Sequence, residues 1–170
     1  KKIGAQIDNE VASPGYWTPI SLLKKKGENL VVPYGWFDRG RPGIIAVNND
    51  GKRFVNESNS YHDIVYAMFN DSSKINNFHF ICDSKFIKKR GLGYLLPWPW
   101  TLNINKYVKM NYIKSAKTLE ELADKIGVNK ENLLNTVKNN NDYVKTGKDL
   151  EFNRGYSSFN HKLGDKKNKK

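Results

Sequence analysis

Arg41-Pro42-Gly43-Ile44-Ile45-Ala46-Val47-Asn48-Asn49-Asp50-Gly51-Lys52-Arg53-Phe54-Val55-Asn56-Glu57 is the most informative run of this chain. Gly43 to Asn48 is a short apolar, β-branched segment of the kind that forms a buried strand. Asn49-Asp50-Gly51-Lys52 follows, and Asp-Gly between two extended runs predicts a hairpin turn. Arg53-Phe54-Val55-Asn56 is then the returning strand. Downstream, Ile64, Val65, Ala67, Met68 and Phe69 fit a short helix from Asp63 to about Asn70. Phe78-His79-Phe80-Ile81-Cys82 reads as another strand, closed by Asp83-Ser84. Upstream, Lys1 to about Pro42 reads as irregular, punctuated by Pro14-Gly15, Pro19, Lys26-Gly27 and Pro33. The region from Gly91 to Trp100, rich in Gly, Pro and Trp, reads as a loop.

The C-terminal part is the most regular. Thr118-Leu119-Glu120-Glu121 is a capping box with Thr118 as N-cap and Glu121 at N3. Leu119, Leu122, Ala123 and Ile126 make one apolar face, and Gly127 ends the helix in the left-handed conformation. A second helix starts with Asn129 as N-cap, turns Leu133, Leu134, Val137 and Val144 inward, and ends at Thr146-Gly147. The two form an αα-hairpin. Strands followed by helices without strict βαβ alternation predict an α+β domain: a small mixed sheet with flanking helices and this C-terminal hairpin.

Composition bounds the function. The chain has 170 residues, 38% hydrophobic and 12% aromatic, enough to bury a core and too many apolar side chains for a disordered segment. No apolar run reaches the roughly 18–20 residues of a membrane span. The single cysteine, Cys82, excludes an internal disulfide framework and a zinc ribbon; in its apolar strand it reads as a packed, inert thiol. The N-terminus, Lys1-Lys2-Ile3-Gly4-Ala5, has no initiating Met and no signal-type core, and reads as the middle of something longer. The net charge of +12 is carried almost wholly by lysine, with arginine only at Arg39, Arg41, Arg53, Arg90 and Arg154. Lysines are scattered rather than drawn into the contiguous stripe of a nucleic-acid footprint. Glycine-rich phosphate loops and the GxSxG nucleophile elbow are missing, and His62, His79 and His161 never fall at metal-site spacing. What remains is a partial active site completed by another domain, or a binding module.

The quoted run resembles the PG-x-I-x-VN-x-x-G-[KR]-RF-x-NE stretch of the FAD-dependent fumarate reductase and 3-ketosteroid dehydrogenase superfamily. The flanks are similar in the same order. Gly4-Ala5 with Tyr16-Trp17-Thr18-Pro19, Phe80-Ile81-Cys82-Asp83, the helix from Ala116 through Gly127, and Gly147 to Gly155 each resemble a segment of the ketosteroid dehydrogenase branch. The resemblance implies that residues 1–170 are one capping (catalytic) domain, which closes over a flavin held mainly by a Rossmann-type FAD domain absent from this sequence. It implies oxidation of a CH–CH bond, with a 3-ketosteroid or similar apolar cyclic ketone as substrate, hydride transfer to FAD, and a quinone-like electron acceptor. The isolated chain would be inactive, and the full enzyme would be cytoplasmic, with peripheral membrane attachment open. A reductase of a small unsaturated acid is the runner-up, and a basic nucleic-acid module the third reading.

Within the resemblance, Tyr61 falls where ketosteroid dehydrogenases carry a catalytic Tyr and fumarate reductases a proton-donating Arg. It would take a proton from the ring carbon while hydride leaves. A free phenol ionises near pH 10, so a neighbour must tune it, and the FAD domain is the expected source. Trp98 and Trp100 would line an apolar slot. Arg39 and Arg41 lie roughly where fumarate reductases place a substrate arginine, and a one-residue shift puts His62 at the acid position. Arg53, Asn56 and Glu57 read as structural support for the backbone carrying Tyr61. Asp149 and Arg154 read as ties for the exit of the second helix, and His161 as an exposed loop residue. No metal is expected.

Overall fold

The structure, a computed structural model, describes residues 3–4, 10, 17–33, 39–71 and 77–164. Ala5, the Pro14-Gly15 turn, Tyr16 and the tail from Lys166 to Lys170 lie outside the described residues. The elements run β1 (Ile20–Lys25), β2 (Glu28–Pro33), β3 (Ile44–Val47), α1 (Tyr61–Asn70), β4 (His79–Cys82), α2 (Ser84–Arg90), α3 (Ile104–Lys109), α4 (Leu119–Ile126), α5 (Lys130–Thr146) and α6 (Ser158–Leu163). The class is α+β. Among the described residues the strands form two separate antiparallel pairs, β1–β2 and β3–β4, instead of one mixed sheet.

All four residues of β3 are buried, which explains why the run is apolar without alternation: both faces of the pair are covered. On one face Ile45, Val47 and Ile81 pack with Ala123, Val128 and Leu133 of the α4–α5 segment. On the other, Ala46 packs with Phe54, Val55 and Ile64, against Phe78 and Phe80. The period of two along β3 thus sends alternate side chains to α4–α5 and to α1.

The expected return strand does not form. Only Val47 and Arg53 make a bridge, after which Phe54, Val55, Asn56 and Glu57 are all buried in succession. Side chains take the place of a pairing strand at the outer edge of β3. The Glu57 carboxylate accepts from the Ala46 amide at 2.9 Å, and Arg154 donates to the Ile44 carbonyl at 2.7 Å. The preceding turn holds. Asn48 Oδ1 accepts from the amides of Asp50 and Lys52, and Gly51 has φ +77°, with Asn129 O only 2.9 Å from where a Cβ would stand. Glycine is required there by both conformation and space.

Caps set the helix limits. Ser60 and Asp63 form a complete capping box for α1, so that helix begins two residues before the expected Asp63. Thr118 and Asn129 cap α4 and α5 with side-chain bonds to Glu121 N and Asn132 N. Gly127 and Gly147 close the two helices at φ +74° and +73°. Leu133 is fully buried, but Val144 is exposed, because the last turns of α5 run beyond the core that receives Leu133 and Val137.

The stretch expected to be irregular holds the β1–β2 hairpin. Its turn, Lys26-Gly27, has positive φ at both residues, matching the twist of the flanking strands. Tyr112 ties this hairpin to the 91–100 loop, its hydroxyl lying 2.6 Å from Ser21 Oγ and 3.0 Å from the Tyr94 amide. His161 belongs to α6 rather than to a loop, and is exposed.

Candidate functional site

Tyr61 is the first residue of α1, immediately after the Ser60 cap. Its position is set by the segment Arg53 to Ser60, which reaches the helix through a dense set of buried polar contacts. The centre is Glu57, whose side chain is fully buried. Arg53 meets it bidentately, Nε to Oε1 at 3.0 Å and Nη2 to Oε2 at 2.8 Å, and Arg154 Nη1 adds a contact at 3.2 Å. Arg53 turns its other edge to Asp149, with Nη1 to Oδ1 at 3.0 Å and Nη2 to Oδ2 at 2.9 Å.

The electrostatics follow from this geometry. Burial alone would lower the proton affinity of Arg53, but Glu57 and Asp149 reverse that and hold it above the ordinary arginine value. Burial pushes the Asp149 carboxyl up, yet the hydrogen bond and charge of Arg53 win and hold it below the usual carboxylate range. Asp149 also organises its own loop, accepting from the amides of Glu151, Phe152 and Arg154.

A second layer joins the same segment to α6. Asn56 Nδ2 donates to Asn160 Oδ1 at 2.9 Å and to the Phe152 carbonyl at 3.2 Å, while Asn56 Oδ1 accepts from the Ser58 amide. Asn160 Nδ2 reaches Asn59 Oδ1 at 3.3 Å. Ser58 Oγ donates to the Gly40 carbonyl, and Arg154 Nε donates to Ser58 Oγ at 3.1 Å.

Arg39 closes the arrangement. Its side chain is buried, Nη1 donates to the Glu57 carbonyl at 2.7 Å and to the Asn59 carbonyl, and its Cζ lies 4.1 Å from the centroid of the Tyr61 ring. Of the residues singled out from sequence, Arg39, Arg53, Asn56, Glu57 and Tyr61 are therefore brought together. Arg41 adjoins them through its carbonyl, which accepts from Arg154 Nη2 at 2.7 Å. Arg41 and His62 are both half-buried. Trp98 and Trp100 stand in the loop after α2, where the Trp98 amide donates to the Lys88 carbonyl; both rings are exposed, at 69% and 76%.

Sequence reasoning missed Ser58, Asn59 and Asn160. The one local signal was the Ser60-x-x-Asp63 capping pattern; the pairing with α6 spans about a hundred residues and leaves no local trace. A cavity of about 370 Å³ lies elsewhere, between the β3–β4 pair and α4–α5, lined by Ile45, Ile81, Cys82, Lys117, Leu122 and Val137. None of the residues singled out for the site lines it. Burial raises the Cys82 thiol to about 12, in keeping with a packed rather than a reactive cysteine.

The model of the FAD binding domain family matches residues 2–164. This chain belongs to that family. FAD is thus the cofactor that membership brings. The chain is 38% identical over 169 residues to 4-oxocyclohex-2-ene-1-carboxylate 5-dehydrogenase of Sinomonas cyclohexanicum, covering 98% of this chain and 28% of that protein. It is 32% identical to 4-oxocyclohexanecarboxylate 2-dehydrogenase of the same organism, covering 99% and 29%. Among solved structures, 3-ketosteroid delta1-dehydrogenase from Sterolibacterium denitrificans, crystallised with 1,4-androstadiene-3,17-dione, superimposes with a TM-score of 0.76 at 30% identity, covering 91% of this chain and 28% of that one. The chain spans less than a third of the length of these relatives.

The described residues of this FAD binding domain family member do not build a dinucleotide cradle. Such a cradle needs parallel strands and a glycine-rich turn opening a helix whose N-terminus meets the pyrophosphate. Here both sheets are antiparallel pairs, and where β4 feeds directly into α2 the turn residue is Asp83. Its carboxylate accepts from the Phe86 amide at 2.7 Å, so the helix end already holds an anion of its own. Among the described residues, the β4–α2 junction therefore offers no phosphate cradle of that kind.

Proposed function

We propose that residues 1–170 are the capping, substrate-facing domain of an FAD-dependent oxidoreductase, and that the enzyme removes two hydrogens from a CH–CH bond beside the carbonyl of a six-membered cyclic ketone. The observation that carries this reading is Tyr61, set at the start of α1 on a segment clamped by Arg39, Arg53 and Arg154. A ring carbonyl acidifies the adjacent C–H, so a phenolate can take that hydrogen as a proton: the C–H bond breaks, the phenol O–H forms, and the pair left behind becomes the new double bond as hydride leaves the next carbon. FAD, when bound, supplies the hydride acceptor, and a quinone-like acceptor would regenerate it.

The activities for which the relatives are named support the substrate class, since each concerns a six-membered ring ketone. Arg53, Asn56 and Glu57 act in this reading as support, holding the backbone so that the Tyr61 ring is presented in one orientation. Trp98 and Trp100, exposed in this chain, are suited to the apolar wall of a slot that closes against the chain's own FAD-binding partner domain. Two of the relatives are named for ring ketones that also carry a carboxylate. That observation favours a small keto acid over a full steroid, with Arg41 and His62 as the groups to meet the carboxylate.

The test is anaerobic bleaching of the flavin in the intact FAD-loaded protein by 4-oxocyclohexanecarboxylate or by a 3-ketosteroid, run beside reoxidation of the reduced form by fumarate. Bleaching by either ketone supports the reading. Reoxidation by fumarate with no bleaching by ketones rejects it in favour of an acid reductase.

A further inference from the structure

We infer that Arg39 is the positioning residue that readies Tyr61 for proton transfer, by holding its ring and setting a fixed positive charge against it. The inference rests on the reading of Tyr61 as the base, and deepens it. Its cationic neighbour lies within this chain, not in a partner domain.

Arg39 is only 3% exposed, and its Nη1 donates to the carbonyls of Glu57 and Asn59. Those carbonyls belong to the loop that ends in the Ser60 cap, so the guanidinium bridges the loop and the first residue of α1, its Cζ 4.1 Å from the Tyr61 centroid. The anchor is itself fixed, because the Glu57 side chain is held by Arg53 and Arg154. Swinging Arg39 out to grip a substrate carboxylate would strip two carbonyls of their donor, one of them in a buried contact, and uncouple the loop from α1. A substrate-gripping arginine presents its fork to the cleft; this one commits Nη1 to two backbone carbonyls.

The chemistry of a cation against this ring is directional. Guanidinium over an aromatic face is attractive, and more so in a desolvated setting. When the phenol gives up its proton the ring gains negative charge, so the same contact favours the phenolate. An opposite charge within about 4–6 Å moves an acid by about 1–3 pH units. The start of α1 acts in the same sense, as the positive end of a helix. Among the described residues, the titratable and charged groups on the same segments include Arg41, Glu57 with its partners Arg53 and Arg154, and His62 and Asp63 in the first turn; Asp63 is engaged with the Ser60 amide at 3.1 Å, and Glu57 is turned to its arginines.

The experiment uses the intact FAD-loaded protein with 3-fluorotyrosine incorporated. The Tyr61 fluorine signal is assigned by its loss in Tyr61→Phe, and Tyr156, 89% exposed, serves as internal reference. In the wild type, Tyr61 is expected to titrate below Tyr156. In Arg39→Gln its midpoint rises by about 1–3 units, and Arg39→Lys, which keeps the charge, restores most of the shift. The acid limb of kcat against pH moves with it, while KM for the cyclic ketone stays within a few-fold. A wild-type midpoint at or above that of Tyr156 overturns the inference, and needs no variant that folds. So does a rise in KM with kcat and midpoint unmoved, which makes Arg39 a substrate grip. If Tyr61→Phe leaves turnover intact, the base reading fails while the fluorine titration still reports whether Arg39 acts on the ring.

Discussion

Replacing Glu57 by glutamine keeps the shape of the side chain but removes the charge around which three arginine contacts and one backbone amide are arranged. The carboxylate accepts from Ala46 N at 2.9 Å, Arg53 Nε at 3.0 Å, Arg53 Nη2 at 2.8 Å and Arg154 Nη1 at 3.2 Å. An amide offers one acceptor oxygen. With that oxygen left to Ala46 and Arg53 Nε, its NH2 faces Arg53 Nη2 and Arg154 Nη1, donor against donor. Two charge-assisted bonds at about 1.5–3 kcal/mol each give a loss of about 3–6 kcal/mol. This agrees with the roughly 3–5 kcal/mol that follows removal of one partner from a buried ion pair. At about 2–4 °C per kcal/mol for a domain of this size, the melting transition falls by roughly 6–24 °C. Scanning calorimetry of the intact protein reads that shift, and hydrogen exchange at the Ala46 amide localises it. Asp142→Asn is the control: its ion pair with Lys145 at 2.8 Å is exposed on both sides, and its loss should not move the transition measurably. A Glu57→Gln shift no larger than the control's, or an Ala46 amide as protected as before, would refute the account of Glu57 as the hub.

Acid should find Asp149 next. Its carboxyl is held below the ordinary range in the folded state, so its contribution is fully present above about pH 4 and is lost as pH falls through the folded value. Melting curves from pH 7 down to about pH 2.5 should fall more steeply for the wild type than for Asp149→Asn; parallel curves would remove Asp149 from the account. Cys82, raised to about 12 by burial, should resist thiol reagents at pH 8 in the native protein and react at once in denaturant; fast native labelling would place it in a different environment.

The sequence made some of this architecture legible and hid the rest for physical reasons. β3, β4, the Asn48 to Lys52 turn and the caps of α4 and α5 are encoded locally, by β-branched runs, an Asp-Gly pair, Thr118, Asn129 and two glycines. The β1–β2 hairpin escaped because its apolar runs are short, β1 ending in Lys24-Lys25 and β2 opening on Glu28-Asn29 and closing on Pro33, which leaves Lys26-Gly27 as the lone cue. The return strand at Arg53 to Asn56 was expected from the turn, but the edge of β3 is satisfied by Glu57 and Arg154, and no local pattern announces a side chain arriving from more than a hundred residues away. At the site, Tyr61, Arg53 and Glu57 were legible through resemblance. Arg39 was singled out as a substrate group; its contacts with the loop and the ring exist only once the chain has folded α1 back over residue 39.

The central claim, a Tyr61 phenolate taking the proton from a cyclic ketone, meets its most direct test in Tyr61→Phe of the intact FAD-loaded protein. Single-turnover flavin reduction and substrate dissociation are measured on the same preparation with 4-oxocyclohexanecarboxylate and a 3-ketosteroid. A base acts in the transition state, so reduction should slow by about 10²–10⁴-fold with binding changed no more than a few-fold. Reduction at the wild-type rate, or equal losses in rate and binding, would contradict it.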